Sequence, residues 1–260
     1  MGADVDIRRE ILRNVVLCQA LEPLGLKPGC TTRLEDATPG TKLEYFTIAA
    51  ANSCWHFYDL ADRVLAAGRQ PDCIFDLAYE AQLASVRNRL GGKVNYGPIQ
   101  LLVPVVTAQA LDYLEHGTHG DIERFLGRTG EVLRQTTARD VECLEEFIQL
   151  GYELSVAHHR RLGRDKPVPR ALRARFATVW EVAQDAQHIH AVREMIQGYP
   201  NSQRVYRFLL HNIESGVLAA SDLVYRILLP ELGRPDVVAD LITVGLYLVL
   251  TKHPDAVLFT

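Results

Sequence analysis

Histidine and acidic side chains are the first candidates for chemistry in this sequence, and they occur in two clusters. Asp185, His188 and His190 lie within six positions, and His158 and His159 are adjacent. Asp185 and His188 are three residues apart and would share one face of a helix, whereas His188 and His190 would not. Because a transition metal needs ligands that converge on one point, this spacing disfavours a transition-metal site.

A basic stretch begins at the second histidine cluster and reads HHRRLGRDK over residues 158–166. Such a run at a helix end is usually solvated, but Lys and Arg side chains also bind phosphates. The sequence leaves both interpretations open.

Familiar catalytic motifs are missing from the sequence, which contains no Walker A, G-x-G-x-x-G, H-E-x-x-H or G-x-S-x-G pattern. Its five cysteines are odd in number and show no zinc-type spacing. Reduced thiols in a cytoplasmic protein are the interpretation this pattern favours.

Composition and charge exclude several classes of protein. The formal net charge is -4, which argues against a nucleic-acid protein held by a broad basic surface. The N-terminus, MGADVDIRRE, lacks the apolar region of a signal peptide. The most apolar stretch, residues 237–250, contains Asp240 and is shorter than the roughly 20 residues a bilayer requires. We therefore expect a cytoplasmic protein with no membrane and no nucleic-acid partner.

The secondary-structure elements that must position these side chains are predicted to be helices, because apolar residues recur at helical spacing along most of the sequence. This periodicity predicts an all-α fold, a large helical bundle forming a single domain over residues 1–260. Thr41 and Glu44 have the spacing of a capping box, and Pro104 falls inside an apolar helix. The predicted helices span residues 7–21, 43–67, 71–90, 98 onward, 122–126, 129–133, 137–162, 171–197, 202–218, 221–232 and 235–250.

The first part of the chain carries a family resemblance. Residues 17–53 read LCQALEPLGLKPGCTTRLEDATPGTKLEYFTIAAANS, in which a glutamate precedes a KPG turn, an acidic loop and a helix of small residues. NYG followed by LLVP, TTARDVECL, AQDAQHI and HPDAVLF continue in order along the chain. Together they resemble the triphosphoribosyl-dephospho-CoA synthase family, which is all-helical.

The resemblance implies a transferase that joins the ribose of ATP to dephospho-CoA and releases adenine. Mg²⁺ would accompany ATP as substrate, the ligands would be small nucleotides, and no tightly bound organic cofactor is expected. The implied catalytic residues are Glu22, Asp36 and Asp185, with Asp36 and Asp185 also as metal ligands. The implied substrate-binding residues are Lys27, Gly29, Arg33, Asn95, Asp140 and Asp255.

Each of these residues also has a structural alternative. Glu22 can interact with nearby backbone amides, and a lysine in a Gly-Pro turn, such as Lys27, is usually solvated. Asn95 can cap the helix that follows it, and Asp255 can cap a helix after Pro254. Asp185 inside an apolar helix calls for a partner, which Arg193 or another cation could provide.

The sequence departs from the family pattern at several positions. The distance from Glu22 to the KPG turn is one residue short, Tyr96 and Ala256 stand where threonines are expected, and the Asn–Gly spacing is compressed. These departures favour two further hypotheses: a different acceptor in tetrahydromethanopterin-linked one-carbon metabolism, or a catalytically inactive binding or assembly protein. Whether the chain forms a homodimer stays open.

A functional site requires that distant residues converge. If the resemblance extends to function, the loop carrying Lys27 and Asp36 must fold toward Asn95, Asp140 and Asp185 and line one pocket with them. Carboxylates that share a pocket without a metal repel one another, so at least one should have a raised pKa.

Overall fold

The fold is built entirely from helices across the part of the chain that the structure describes. The computed structural model describes residues 6–36, 40–118, 120–164, 167, 176–256 and 258. Within these ranges it contains eleven α-helices and two short 3-10 turns, and no strand. The predicted all-α class is therefore confirmed.

The helices follow one another with short connections. They are α1 (Ile7–Leu21), α2 (Leu43–Ala67), α3 (Asp76–Ser85), α4 (Tyr96–His116), α5 (Ile122–Arg134), α6 (Ala138–Arg161), α7 (Val179–Asp185), α8 (His190–Ile196), α9 (Pro200–His211), α10 (Val217–Leu232) and α11 (Pro235–Lys252). The 3-10 turns are Glu22–Leu24 and Ile213–Ser215.

Two largely apolar helices form the centre of the bundle. Residues 97–112 of α4 and 241–251 of α11 are buried almost without interruption. The α1 helix packs on α2 and α11, while α9 and α10 cover the other side of α11. None of the helices in the described ranges is long and apolar enough to cross a membrane.

Local predictions differ from the structure at several places. The helices predicted over 122–126 and 129–133 form the single helix α5, and the helix predicted over 202–218 ends at His211, so that α10 begins at Val217 instead of residue 221. The N-cap of α2 is Lys42, which makes no side-chain cap, so the predicted Thr41–Glu44 capping box is wrong. The third helix covers only Asp76–Ser85 instead of residues 71–90. The single helix predicted over 171–197 is divided into α7 and α8, and residues 171–175 lie outside the described ranges.

Candidate active site

A cleft of about 450 Å³ opens where the start of α4, the end of α6 and the start of α11 meet the loop that follows α1. This volume lies within the range of small-molecule sites. Glu22, Gly29 and Asn95, three of the residues implied by the resemblance, line it.

The loop after the first 3-10 turn is held against the cleft by α10 and α11. The Leu26 backbone N–H donates to Asp222 Oδ1 at 2.7 Å, and the Tyr225 hydroxyl donates to the Pro28 carbonyl at 2.6 Å. Gly29 has a φ of +86° and lies against Pro235, so a side chain would be strained and crowded there. The KPG turn is therefore a fixed wall of the cleft.

Glu22 and Lys27 form a buried ion pair behind this wall. Lys27 Nζ lies 3.3 Å from Glu22 Oε1 and also donates to the Glu22 backbone carbonyl. Lys27 is fully buried and is not among the lining residues, whereas Glu22 reaches the cleft. Burial raises the pKa of Glu22, and the Lys27 ammonium opposes that shift. Lys27 therefore acts in this structure as the partner of Glu22.

Asn95 occupies the N-cap position of α4 with a left-handed backbone, at φ 57°. Its side chain does not cap the helix but donates from Nδ2 to the Phe46 carbonyl at 3.2 Å. Next to it, Tyr96 stacks on Phe147 with ring centroids 4.4 Å apart. These contacts fix the loop between α3 and α4 along one side of the cleft.

Asp240 on α11 places its carboxylate directly against Gly97 in the first turn of α4. A Cβ atom on residue 97 would overlap that carboxylate, so only glycine permits this approach. Asp240 lines the cleft, and no residue in the described ranges forms a hydrogen bond or ion pair with its carboxylate. Burial, and then the negative charges of Asp236 and Glu22, raise its pKa well above 3.8.

Asp236 lies one helical turn before Asp240 on α11 and also lines the cleft. Arg234 forms an ion pair with it. Burial opposes ionisation, but the bonds to Arg234 hold the pKa of Asp236 below its ordinary value. The two neighbouring carboxylates thus have pKa values pushed in opposite directions, which is the pattern of an acid–base pair with divided roles.

Cationic and imidazole groups occupy other parts of the same cleft. Lys93 precedes Asn95, and its ammonium lies 4.4 Å from the centre of the Tyr96 ring. His158 and His159 enter from the end of α6, and His190 from the start of α8. The cleft therefore combines carboxylates with groups able to bind phosphate.

The remaining residues implied by the resemblance lie outside this cleft. Arg33 and Asp36 are exposed, and Asp36 forms an ion pair of 3.5 Å with Lys42. Asp185 is exposed at the end of α7, and Asp255 is exposed after α11. The predicted convergence of all six residues on one pocket does not occur, whereas the expected carboxylate with a raised pKa is present in Glu22 and Asp240.

Asp140 has a structural environment at the start of α6. Its carboxylate accepts from the backbone N–H groups of Ile74 at 2.7 Å, Phe75 at 3.0 Å and Thr137 at 3.0 Å. It forms a capping box with Thr137 and is fully buried. Asp140 thereby fixes the turn before α3 to the start of α6.

Nowhere among the described residues do three or more His, Cys, Asp or Glu side chains group as metal ligands. Asp36 and Asp185 do not line the cleft, while Asp236 and Asp240 do. A Mg²⁺ ion that enters with phosphates needs only one or two protein carboxylates, and the cleft offers that number.

The chain matches one known protein family over most of its length. The sequence profile of the ATP:dephospho-CoA triphosphoribosyl transferases matches residues 8–230. The chain belongs to this transferase family. The resemblance found in the sequence is thereby confirmed. No curated protein and no solved structure shows significant similarity to the chain.

The family match covers the KPG turn, the loop before α4 and the histidines of α6, but it ends before α11. The roles of Asp236 and Asp240 therefore rest on the geometry of this transferase-family chain alone. Sequence reasoning missed both residues as site residues. Their signal was two acids one turn apart at the start of an otherwise apolar helix, where an unpartnered carboxylate is costly.

Proposed function

We propose that this chain transfers the triphosphoribosyl group of ATP to the 2′-hydroxyl of dephospho-CoA and releases adenine. The observation that supports this most strongly is the unpartnered Asp240 carboxylate, held in the cleft beside the ion-paired Asp236. A glycosyl transfer needs one carboxylate that stays ionised and another that takes a proton, and this pair provides both.

The proposed step exchanges one bond for another at the anomeric carbon of the ribose. The bond from C1′ to adenine breaks, and its electron pair leaves with adenine. The acceptor oxygen forms a new bond to C1′, and its proton passes to Asp240. Adenine takes up a proton from solvent as it leaves, and Asp240 later returns its proton to solvent, so the step balances.

Asp236 has a different role in this proposal. As the bond to adenine lengthens, positive charge develops at C1′ and on the ring oxygen. Arg234 keeps Asp236 ionised, so its negative charge can stabilise the developing cation. Mg²⁺ is expected as part of the ATP substrate, where it neutralises phosphate charge.

Asp240 also favours an active transferase over the alternative hypothesis of an inactive binding protein. A partly buried carboxylate without a partner lowers stability, and such features persist mainly where function requires them. A protein that had kept only the fold would gain stability by losing the acid.

The identity of the acceptor has one specific competitor. Tyr96 stands where the family pattern has a threonine, and it lines the cleft while stacked on Phe147. This substitution motivates a second candidate acceptor, a pterin precursor of tetrahydromethanopterin-linked one-carbon metabolism. The two candidates share the donor, ATP, and the loss of adenine.

The test is chromatographic measurement of adenine from ATP and Mg²⁺, with dephospho-CoA, with a pterin precursor and without acceptor. We expect adenine release that depends on dephospho-CoA and is lost in Asp240→Asn. Release only with the pterin would transfer the proposal to the second acceptor. Binding of ATP without adenine release under any condition would contradict transferase activity.

A further inference from the structure

The last turns of α6 line the part of the cleft beside Gly92. Gly92 and Gly97 lie at opposite ends of the segment that leads into α4. His158 and His159 both line it, and His158 packs against Gly92 and Gly40. The positions of Gly92 and Gly97 differ by five residues, so the chain between them reaches at most about 18 Å. The histidines and the Asp240 carboxylate therefore line the same cleft, at the two ends of this segment.

We propose that His158 and His159 bind the triphosphate chain of the nucleotide, leaving its ribose beside Asp236 and Asp240. This inference rests on the proposed function, since it names the part of the cleft that holds the phosphates of the donor. It concerns residues to which neither the resemblance nor the family match gives a role.

An unsatisfied nitrogen is the first observation behind this proposal. His159 Nδ1 is buried and has no hydrogen-bond partner in the described part of the chain, although the residue lines the cleft. A buried polar atom without a partner costs free energy. Because His159 lines the cleft, rotation of its imidazole would bring this nitrogen to the cleft, where a phosphate oxygen would accept a hydrogen bond from its N–H.

An excess of positive charge around His158 is the second observation. The charged groups that act on its imidazole are His159 and Arg161 on the same helix and Arg89 from the loop after α3. Thr41, at the start of the α2 segment, contributes only a hydroxyl, 3.4 Å from His158 Nε2. Burial, and then these three cationic groups, lower the pKa of His158. A bound polyanion would reverse the electrostatic part of that shift.

Arg89 explains why the positive charge persists. Its guanidinium donates to the backbone carbonyls of Ser85 at 2.5 Å and Gly92 at 2.9 Å. Within the described ranges no carboxylate forms an ion pair with it. Arg89 thus braces the Gly92 loop beneath His158 and adds positive charge near the imidazole.

The backbone contributes little to this site. The C-terminal end of a helix carries partial negative charge, so the end of α6 would repel an anion without its side chains. Protonation of the His158 imidazole on binding of an anion supplies what the helix end lacks. Triphosphate binding should therefore be coupled to proton uptake.

The test uses inorganic tripolyphosphate as the probe and isothermal titration calorimetry on the whole chain at pH 6 and pH 8. We expect tighter binding at pH 6, with heats in different buffers that show proton uptake. His159→Gln and His158→Gln should each weaken binding at least tenfold. His211→Gln, an exposed histidine at the end of α9, should leave binding unchanged.

His158 is buried, so His159→Gln is the decisive variant, and its melting temperature shows whether it is folded. Wild-type affinity in folded His159→Gln, or binding that does not change with pH, would overturn the proposal. So would variants that lose dephospho-CoA affinity while they keep ATP affinity, because the site would then belong to the acceptor diphosphate. Histidine-dependent tripolyphosphate binding in a chain that never releases adenine would retain this site and reject only the transferase reaction.

Discussion

The Asp240 carboxylate rests on the backbone of Gly97, in the space that a Cβ atom would fill. We therefore predict that Gly97→Ala displaces the carboxylate and lowers adenine release at least tenfold. Stability should change little in comparison, because alanine favours a helix by roughly 0.5–1 kcal/mol over glycine and offsets part of the crowding. Steady-state kinetics and urea unfolding of the same preparation measure both effects.

Gly127→Ala is the matched control for this prediction. Gly127 lies within α5, and no atom lies within 4 Å of the position its Cβ would take. This variant should be stabilised by roughly 0.5–1 kcal/mol with unchanged activity. If Gly97→Ala keeps wild-type activity, the placement of Asp240 does not matter for the reaction.

Asp240→Asn should raise stability and abolish transfer. The pKa of Asp240 is raised in the folded chain, so ionisation costs stability as the pH rises above 3.8 and levels off above the folded-state pKa. The stabilisation by asparagine should grow with pH over the same interval. Each kcal/mol would shift Tm by about 2–4 °C for a chain of this size.

The same group determines the pH dependence of activity. If Asp240 accepts the proton of the acceptor hydroxyl, adenine release should rise with pH on a limb that lies well above the ordinary pKa of aspartate. Asp72→Asn, which changes an exposed acid, should leave both the limb and the stability unaltered. A wild-type pH profile in Asp240→Asn would exclude Asp240 as the base.

Lys27→Met should destabilise the fold strongly. It leaves the buried Glu22 without its cation, a change that costs about 3–5 kcal/mol in buried pairs. Lys42→Met breaks the exposed pair with Asp36 and should cost at most about 1 kcal/mol. Equal free energies of unfolding for the two variants would show that Lys27 does not stabilise the loop.

Asp140→Ala should lower stability without changing the apparent KM for ATP. It removes the acceptor of three backbone N–H groups, and each buried unsatisfied donor costs about 1–3 kcal/mol. Chemical unfolding and initial rates below the unfolding temperature separate the two effects. An increased KM in folded enzyme would instead support the substrate contact that the resemblance implies for Asp140.

The parts of the fold that could be predicted are those determined by neighbouring residues in the sequence. The bounds of α1 and α2 follow from apolar periodicity and from Gly68, which ends α2 with a left-handed backbone. The division into α7 and α8 was not predicted, because the intervening residues 186–189 contain neither glycine nor proline. The bundle was thus predictable from periodicity, while breaks set by tertiary packing were not.

The site was predictable only in part, for a related reason. Glu22, Gly29 and Asn95 adjoin turns whose residue types stand out in the sequence, and they do line the cleft. Asp240 can be recognised as a site residue only in the folded structure, where the first turns of α11 pack against Gly97. This contact joins residues 143 positions apart. Such a contact has no local sequence signal.

The central claim is that the cleft joins the intact triphosphoribosyl group of ATP to an acceptor hydroxyl. Its most direct test is mass spectrometry of the products formed from ribose-labelled ATP, dephospho-CoA and Mg²⁺. We predict one adenine released for each adduct, and an adduct that carries the labelled ribose and all three phosphates. Formation of ADP, AMP or pyrophosphate, with the label still attached to adenine, would contradict the account.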